Sequence, residues 1–249
     1  MYNEEATVVE VLEQLAALRF PDPLEVLVVD DGSRDASAAR VRAWLAENRG
    51  ALARHTRLFQ KPNGGKGSAV RLGVEHSRGR VLIVQDADLE YDPGDIPACV
   101  NPILQNQALV VYGSRLRNRA NRHSYRRYYW GGVAVTWACN LLYGARLTDE
   151  PTGYKAFQGD LLRALSFAGD SFEWEPEITA RLLRLDIAIH EVPVSYRPRG
   201  FAEGKKISWR DGVQALTTLL AWRWCSNAGD QQKLTCLKRE GKIQIAGAG

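Results

Sequence analysis

Three short apolar runs, each closed abruptly by a polar turn, constrain this chain of 249 residues more than any other feature. Residues 24–29 end at Asp30-Asp31-Gly32-Ser33, residues 81–84 at Gln85-Asp86-Ala87-Asp88, and residues 108–112 at Gly113-Ser114-Arg115. A run that is apolar at nearly every position, rather than at every second one, suits a strand covered by helices on both faces. Between the runs the spacing turns helical. Val8, Val9, Leu12, Leu15 and Leu18 predict a helix over 5–18, and others are expected through Trp44, over 67–76 and over 93–104, with a further strand near Leu58-Phe59. Strands alternating with helices predict an α/β fold built on a mostly parallel, doubly wound sheet. Such sheets bind ligands beyond the carboxyl ends of their strands, where the three polar clusters sit.

The second half changes character. Residues 125–143 predict a helix rich in aromatic and small residues, 175–185 another helix, 187–196 a strand, and 209–224 a Trp-rich amphipathic helix. Beyond that the pattern dissolves, so one domain is expected over 1–225 and a loose tail over 226–249. A hydrophobic share of 45% is enough for a real core, and a net charge of +4 says little about partners. The distribution of charge says more. Arg115, Arg117, Arg119, Arg122, Arg126 and Arg127 crowd one segment, and Arg197, Arg199, Lys205, Lys206 and Arg210 another. Clusters of this kind face anionic groups, a solvated surface being the plainer alternative. The four cysteines form no CxxC pair or zinc spacing and are expected as free thiols in a reducing compartment. The opening residues are polar, and the longest nearly apolar segment, 131–145, falls short of the roughly 20 residues that cross a bilayer. A soluble or peripheral protein is expected.

Three motifs carry chemistry. Asp86 and Asp88, one residue apart at a strand end, can converge on a hard cation that also takes diphosphate oxygens; a turn or helix cap is the plainer use of such a pair. Asp30-Asp31-Gly32-Ser33 suits a turn with an N-cap, or acceptance from a base N–H or ribose hydroxyl. Asn63-Gly64-Gly65-Lys66-Gly67 matches neither the Walker pattern nor GxGxxG, yet its glycines at a helix start suit an anion or a close backbone approach.

Taken in order, these elements resemble the family 2 glycosyltransferases of GT-A fold, and among them the polyprenyl (dolichol) phosphate hexosyltransferases. The resemblance also rests on Tyr2-Asn3-Glu4-Glu5, Leu147-Thr148-Asp149 with Thr152-Gly153-Tyr154-Lys155, Glu175-Pro176-Glu177, Glu191-Val192-Pro193 and Glu203-Gly204-Lys205-Lys206. It implies a Rossmann-like α/β catalytic domain and an inverting, metal-dependent transfer of a hexose from UDP- or GDP-hexose to a polyprenyl phosphate. Tyr2, Glu4, Asp30, Asp31, Lys66 and Asp86 are then expected at the nucleotide, and Asp86, Asp88 and Glu90 at Mg²⁺ or Mn²⁺. Arg115, Arg126, Arg127, Arg199 and Lys205 are expected at the acceptor phosphate, with Asp149 and Arg115 as catalytic groups. The expected setting is peripheral, on the cytoplasmic face of a membrane, with Trp- and Arg-rich helices lying in the interface and no nucleic-acid partner.

A phosphate acceptor arrives largely ionised, its second pKa being about 6, and needs positioning more than a base. Two other readings remain. One is transfer to a sugar hydroxyl in polysaccharide or glycolipid assembly, with Asp149 as base. The other is an inactive nucleotide-sugar-binding remnant. Family members open with an apolar strand ahead of Tyr-Asn-Glu-Glu, whereas Met1 directly precedes Tyr2 here. The first strand is therefore expected to be missing, with low stability and weak activity as the result.

Overall fold

The computed structural model describes residues 1–20, 23–48, 50–121, 126–165, 167–200 and 209–243. Helix α1 (Val8–Ala17) buries Val8, Val11, Leu12 and Leu15, one face of a helical turn repeated. Strand β1 (Val26–Asp30) pairs in parallel with β2 (Thr56–Gln60), Val26 opposite Thr56 and Asp30 opposite Gln60. Between them run α2 (Ser37–Glu47) and the short α3 (Ala51–Arg54); α4 (Lys66–His76) then leads to β3 (Val81–Ile83). A 3-10 turn at Pro93–Asp95 runs into α5 (Ile96–Leu104), followed by β4 (Val110–Ser114) and α6 (Arg126–Tyr143). Then come β5 (Lys155–Gln158), α7 (Gly159–Ala164), α8 (Trp174–Arg184), β6 (Ile189–Pro193), α9 (Trp209–Trp224) and α10 (Ala228–Arg239).

The strands form two ladders, β1-β2 and β3-β5-β4-β6. β4 is parallel to β6, as expected, but β5 lies antiparallel between β3 and β4. Sequence patterning predicts neither β5 nor α7. β4 is buried at all five positions, at the centre of two apolar clusters. One gathers Tyr112, Phe157, Leu161, Trp174 and Ile178, the other Ile96, Val111, Tyr154 and Val194. Beside β1, the Met1 ammonium donates to the Val29 carbonyl at 2.6 Å and the Asp31 N–H donates to the Met1 carbonyl at 2.9 Å. That pair of bonds sets Met1 opposite Asp30 in parallel register.

The expected loose tail is corrected over its described part. Residues 228–239 are helical, and Leu234 and Ile243 enter the larger core cluster. Asp230 accepts two hydrogen bonds from the buried Arg181 of α8, at 2.8 and 2.6 Å. All four cysteines are free thiols, in no disulfide. No helix among the described residues is long and apolar enough to cross a membrane.

Candidate active site

The carboxyl ends of β1, β3 and β4 open on one cleft of about 650 Å³. Tyr2, Glu4, Asp31, Lys66, Asp86, Asp88, Glu90, Arg115 and Arg199 all line it, so residues predicted from separate motifs share one space. Asp30 does not line it. Its buried carboxylate accepts from the Ser33 N–H and the Gln60 amide, both at 3.1 Å. Burial opposes ionisation there, but those bonds outweigh it and the net pKa is lowered.

Asp31 lines the cleft and is also bound to the glycine loop. Its two oxygens accept the Gly64 and Gly65 N–H groups at 2.9 and 2.8 Å and the Lys61 ammonium at 2.6 Å. It fastens the glycine loop to the end of β1 rather than offering an open carboxylate. The glycines serve close approach of backbone. A Cβ on Gly67 would lie 2.1 Å from the Gly169 carbonyl oxygen, and Gly65, at φ +95°, would meet the Asp170 carbonyl at 2.5 Å. The first N–H groups of α4 donate into the same segment, Gly67 to Ser171 and Ser68 to Asp170, so an anion there would have to compete with these carbonyls.

Tyr2-Asn3-Glu4-Glu5 is knitted to the loop after β1. Asn3 N–H donates to Ser33 Oγ, Glu4 N–H to Ser37 Oγ, and Arg34 N–H to Asn3 Oδ1. Asn3 holds φ +53°, a conformation asparagine tolerates better than most residues. This turn brings the Glu4 carboxylate to Arg199, whose two terminal nitrogens reach it at 3.0 and 3.3 Å.

The two aspartates after β3 are each met by a cation of the protein. Lys66 donates to Asp86 at 2.9 Å and sits equally close to Glu175 of α8. Burial pulls the Lys66 pKa down, but the two carboxylates outweigh it and hold the ammonium charged. Arg199 reaches Asp88 at 3.0 Å. Even so, burial first, then the charges of Asp86 and Glu90, push the Asp88 carboxyl up to about 6. The Glu90 carboxylate accepts from the Tyr196 hydroxyl at 2.8 Å and the Arg199 N–H at 3.1 Å. Among the described residues no three His, Cys, Asp or Glu side chains gather as a metal site. Glu90, expected as a third ligand, lines the cleft with one hydrogen bond on each of its oxygens, from Tyr196 and Arg199. Arg199, expected at an acceptor phosphate, instead faces the acids Glu4 and Asp88.

Arg115 and Asp149 form a closed pair. Arg115 gives Asp149 its backbone N–H and its Nε, each at 2.8 Å, and its Nη2 at 2.7 Å. Burial raises the Asp149 pKa, but Arg115 outweighs it and holds the carboxyl below its ordinary value. The guanidinium lies over the Tyr196 ring, 5.1 Å from its centre. Glu191 of β6 fixes the loop by accepting the Thr148 and Asp149 N–H groups. Glu175 and Glu191 stood in the quoted motifs without a role; each acts on a partner distant in sequence, which no local spacing reveals. Arg126 and Arg127 open α6 with side chains outside the described residues, and Lys205 lies outside them altogether.

The sequence model of glycosyl transferase family 2 matches residues 1–165. A dodecaprenyl-phosphate galacturonate synthase of Rhizobium johnstonii is 27% identical over 205 residues, which cover 80% of this chain and 57% of that protein. An undecaprenyl-phosphate 4-deoxy-4-formamido-L-arabinose transferase of Pseudomonas aeruginosa is 30% identical over 228 residues, covering 88% and 63%. The chain thus spans about three fifths of the length of these relatives. Among solved structures, glucosyl-3-phosphoglycerate synthase of Mycobacterium tuberculosis with Mn²⁺, UDP and glucosyl-3-phosphoglycerate matches with a TM-score of 0.65 at 24% identity. The match covers 92% of this chain and 79% of that one, and shows a shared fold.

Proposed function

The chain belongs to glycosyl transferase family 2 and has its GT-A fold, and from that premise we propose that it transfers a hexose from a nucleoside-diphosphate sugar to a polyprenyl phosphate, with inversion. The relatives named for transfer to dodecaprenyl and undecaprenyl phosphate support this acceptor class.

One observation carries the reading. Asp149, the carboxylate placed for a base, is locked on Arg115 with its proton affinity suppressed. A poor base suits an acceptor that arrives already ionised, as a phosphate monoester does near neutral pH. A sugar hydroxyl would have to lose its proton to some group, and Asp149 is ill suited to take it. Arg115 lines the cleft and offers a fixed guanidinium for orienting the incoming phosphate opposite the leaving group.

Asp86 and Asp88 would hold Mg²⁺ or Mn²⁺ together with diphosphate oxygens of the donor, since such ions bind through one or two carboxylates plus phosphates. Burial of Asp88 and its acidic neighbours Asp86 and Glu90 together raise its pKa; a bound cation would offset that repulsion. The ion supplies neutralisation of the departing diphosphate. Lys66, itself anchored by Glu175, holds Asp86 directly, and Asp31 holds the glycine loop beside them.

A membrane setting is proposed on two helices. Exposed Trp130, Trp137 and Leu141 recur along one face of α6, and Trp209, Val213, Leu220 and Trp224 along one face of α9. Arg210 and Arg223 are exposed beside them. Apolar stripes edged by arginine suit the headgroup region of an anionic leaflet, and a cytoplasmic face is proposed on the free cysteines.

The test is a panel of UDP- and GDP-hexoses with a short prenyl phosphate, with and without Mn²⁺ or Mg²⁺, read by mass spectrometry. Metal-dependent appearance of a prenyl phosphohexose is expected. Transfer to sugar hydroxyls alone, or nucleotide binding without turnover, would overturn the reading.

A further inference from the structure

The Glu150–Pro151 peptide unit carries a single hydrogen-bonding group, because proline has no N–H. That unit stands between the two groups that take the Arg115 guanidinium, the Asp149 carboxylate and the Pro151 carbonyl, the latter at 2.9 Å. The chain is fastened on either side of it. Glu191 accepts the Thr148 and Asp149 N–H groups, Thr136 Oγ1 accepts the Glu150 N–H at 3.0 Å, and the Thr152 hydroxyl donates to the Gly113 carbonyl. The unit itself is held by its one polar atom, the Glu150 carbonyl oxygen, to which Lys155 Nζ donates at 2.5 Å.

Lys155 is a costly residue for that task. It is wholly buried, and an amine is harder to take out of water than an apolar stem of the same length. The fold prepares a seat for it. β5 opens at Lys155, directly opposite Tyr112 of β4, and Nζ lies 4.0 Å from the centre of the Tyr112 ring, whose face attracts a cation. The Tyr112 hydroxyl is bonded to Thr179 Oγ1 at 2.8 Å, which fixes the ring. Burial lowers the Lys155 pKa, and Glu150, Glu175 and Asp149 oppose it. The hydrogen bond of Nζ nevertheless goes to a backbone carbonyl rather than to an acid, so what it fixes is a peptide plane.

We propose that Lys155 is a positioning residue for the transfer: through the Glu150 carbonyl it sets the peptide plane between Asp149 and Pro151, and with it the direction in which Arg115 presents its guanidinium to the acceptor phosphate. Arg115 and Pro151 line the cleft, and Lys155 lies behind them. The part played by the acceptor rests on the prenyl-phosphate reading above; the link from Lys155 to Arg115 does not.

The test removes Nζ and reads two arginines. Lys155→Met keeps an apolar stem of similar length without the donor. In protein carrying isotope-labelled arginine, NMR follows the Arg115 Nε–H, bonded to Asp149, and the Arg181 Nε–H, bonded to Asp230. Each signal is assigned by its loss in Arg115→Lys or Arg181→Lys. Solvent exchange of the Arg115 Nε–H should quicken at least tenfold in Lys155→Met, with that of Arg181 changed less than twofold. A residue that only stabilised the core would quicken both. With donor and metal present, kcat/KM for farnesyl phosphate should fall tenfold or more, as for a misaimed positioning group, while the UDP dissociation constant with Mn²⁺ stays within twofold. Lys155→Gln, polar but one bond shorter, should give the same pattern and serves where Lys155→Met does not fold. Equal quickening of both arginines, unchanged exchange at Arg115, loss of UDP affinity as large as the loss on the acceptor, or failure of both variants to fold would each overturn the proposal. The exchange readout needs no donor, metal or turnover. Wild-type protein that transfers nothing to farnesyl phosphate would therefore refute the prenyl-phosphate reading and leave the link between Lys155 and Arg115 to be decided by the arginine signals.

Discussion

Arg115 and Asp149 share three hydrogen bonds around one carboxylate, and the pairing has a pH signature. The Asp149 carboxyl titrates lower in the folded protein than in the unfolded chain, despite its burial, because of Arg115. The unfolded state then binds the proton more readily. The contribution of the pair is complete above about pH 4 and is lost as the pH falls through the folded value. Asp149→Asn should lower stability at pH 7 by about 3–5 kcal/mol, since it strips the partner from a buried guanidinium. It should also flatten the acid limb of a plot of melting temperature against pH below about pH 4; identical acid limbs in both proteins would contradict the pairing. Other residue roles turn on partners remote in sequence. Asp31 was legible as a carboxylate at a strand end, but the amides that hold it lie 33 and 34 residues on. Arg199 was legible as a cation facing anions, yet its partners stand 111 and 195 residues before it.

Helices α6 and α9 pack on each other through Val135, Cys139 and Leu219 and turn their tryptophans outward, Trp137 65% and Trp224 74% exposed. Replacing both with serine removes no core contact. Trp137→Ser with Trp224→Ser should leave the melting temperature within about 1 °C, as surface changes do. It should abolish co-sedimentation with anionic liposomes while sparing turnover of a short, water-soluble prenyl phosphate; unchanged liposome binding would count against the interfacial role. These helices were legible because both carry long helical spacing. The bounds of α9 coincide with the expected 209–224. Strand β5 was not legible, for it is four residues long and half of it is Lys155 and Gln158. Lys155 is fully buried under the Tyr112 ring, 4.0 Å from its centre, an environment that only the assembled fold supplies. Helix α10 reads as polar, and its attachment depends on the Arg181–Asp230 pair, invisible to periodicity.

Across the whole molecule, α10 is tied to the glycine-loop side of the cleft by a chain of contacts. Asp230 holds Arg181, Arg181 reaches Glu177, and Glu177 accepts the Ala168 and Gly169 N–H groups of the segment packed against Gly67. Asp230→Ala should destabilise the protein by about 3–5 kcal/mol in urea unfolding, the range for a broken buried pair. It should also weaken UDP binding in the presence of Mn²⁺ by calorimetry. An unchanged urea midpoint would detach α10 from the folded unit. The order β3-β5-β4-β6 carries one more consequence, for the birth of the chain. β3 and β4 are made early, yet the strand that joins them is not synthesised until residues 155–158. On a ribosome translating at about 5–20 residues per second, both wait for seconds with their edges open to chaperones or to one another. Assembly of this sheet is thus a late and long-range event, set by a four-residue strand.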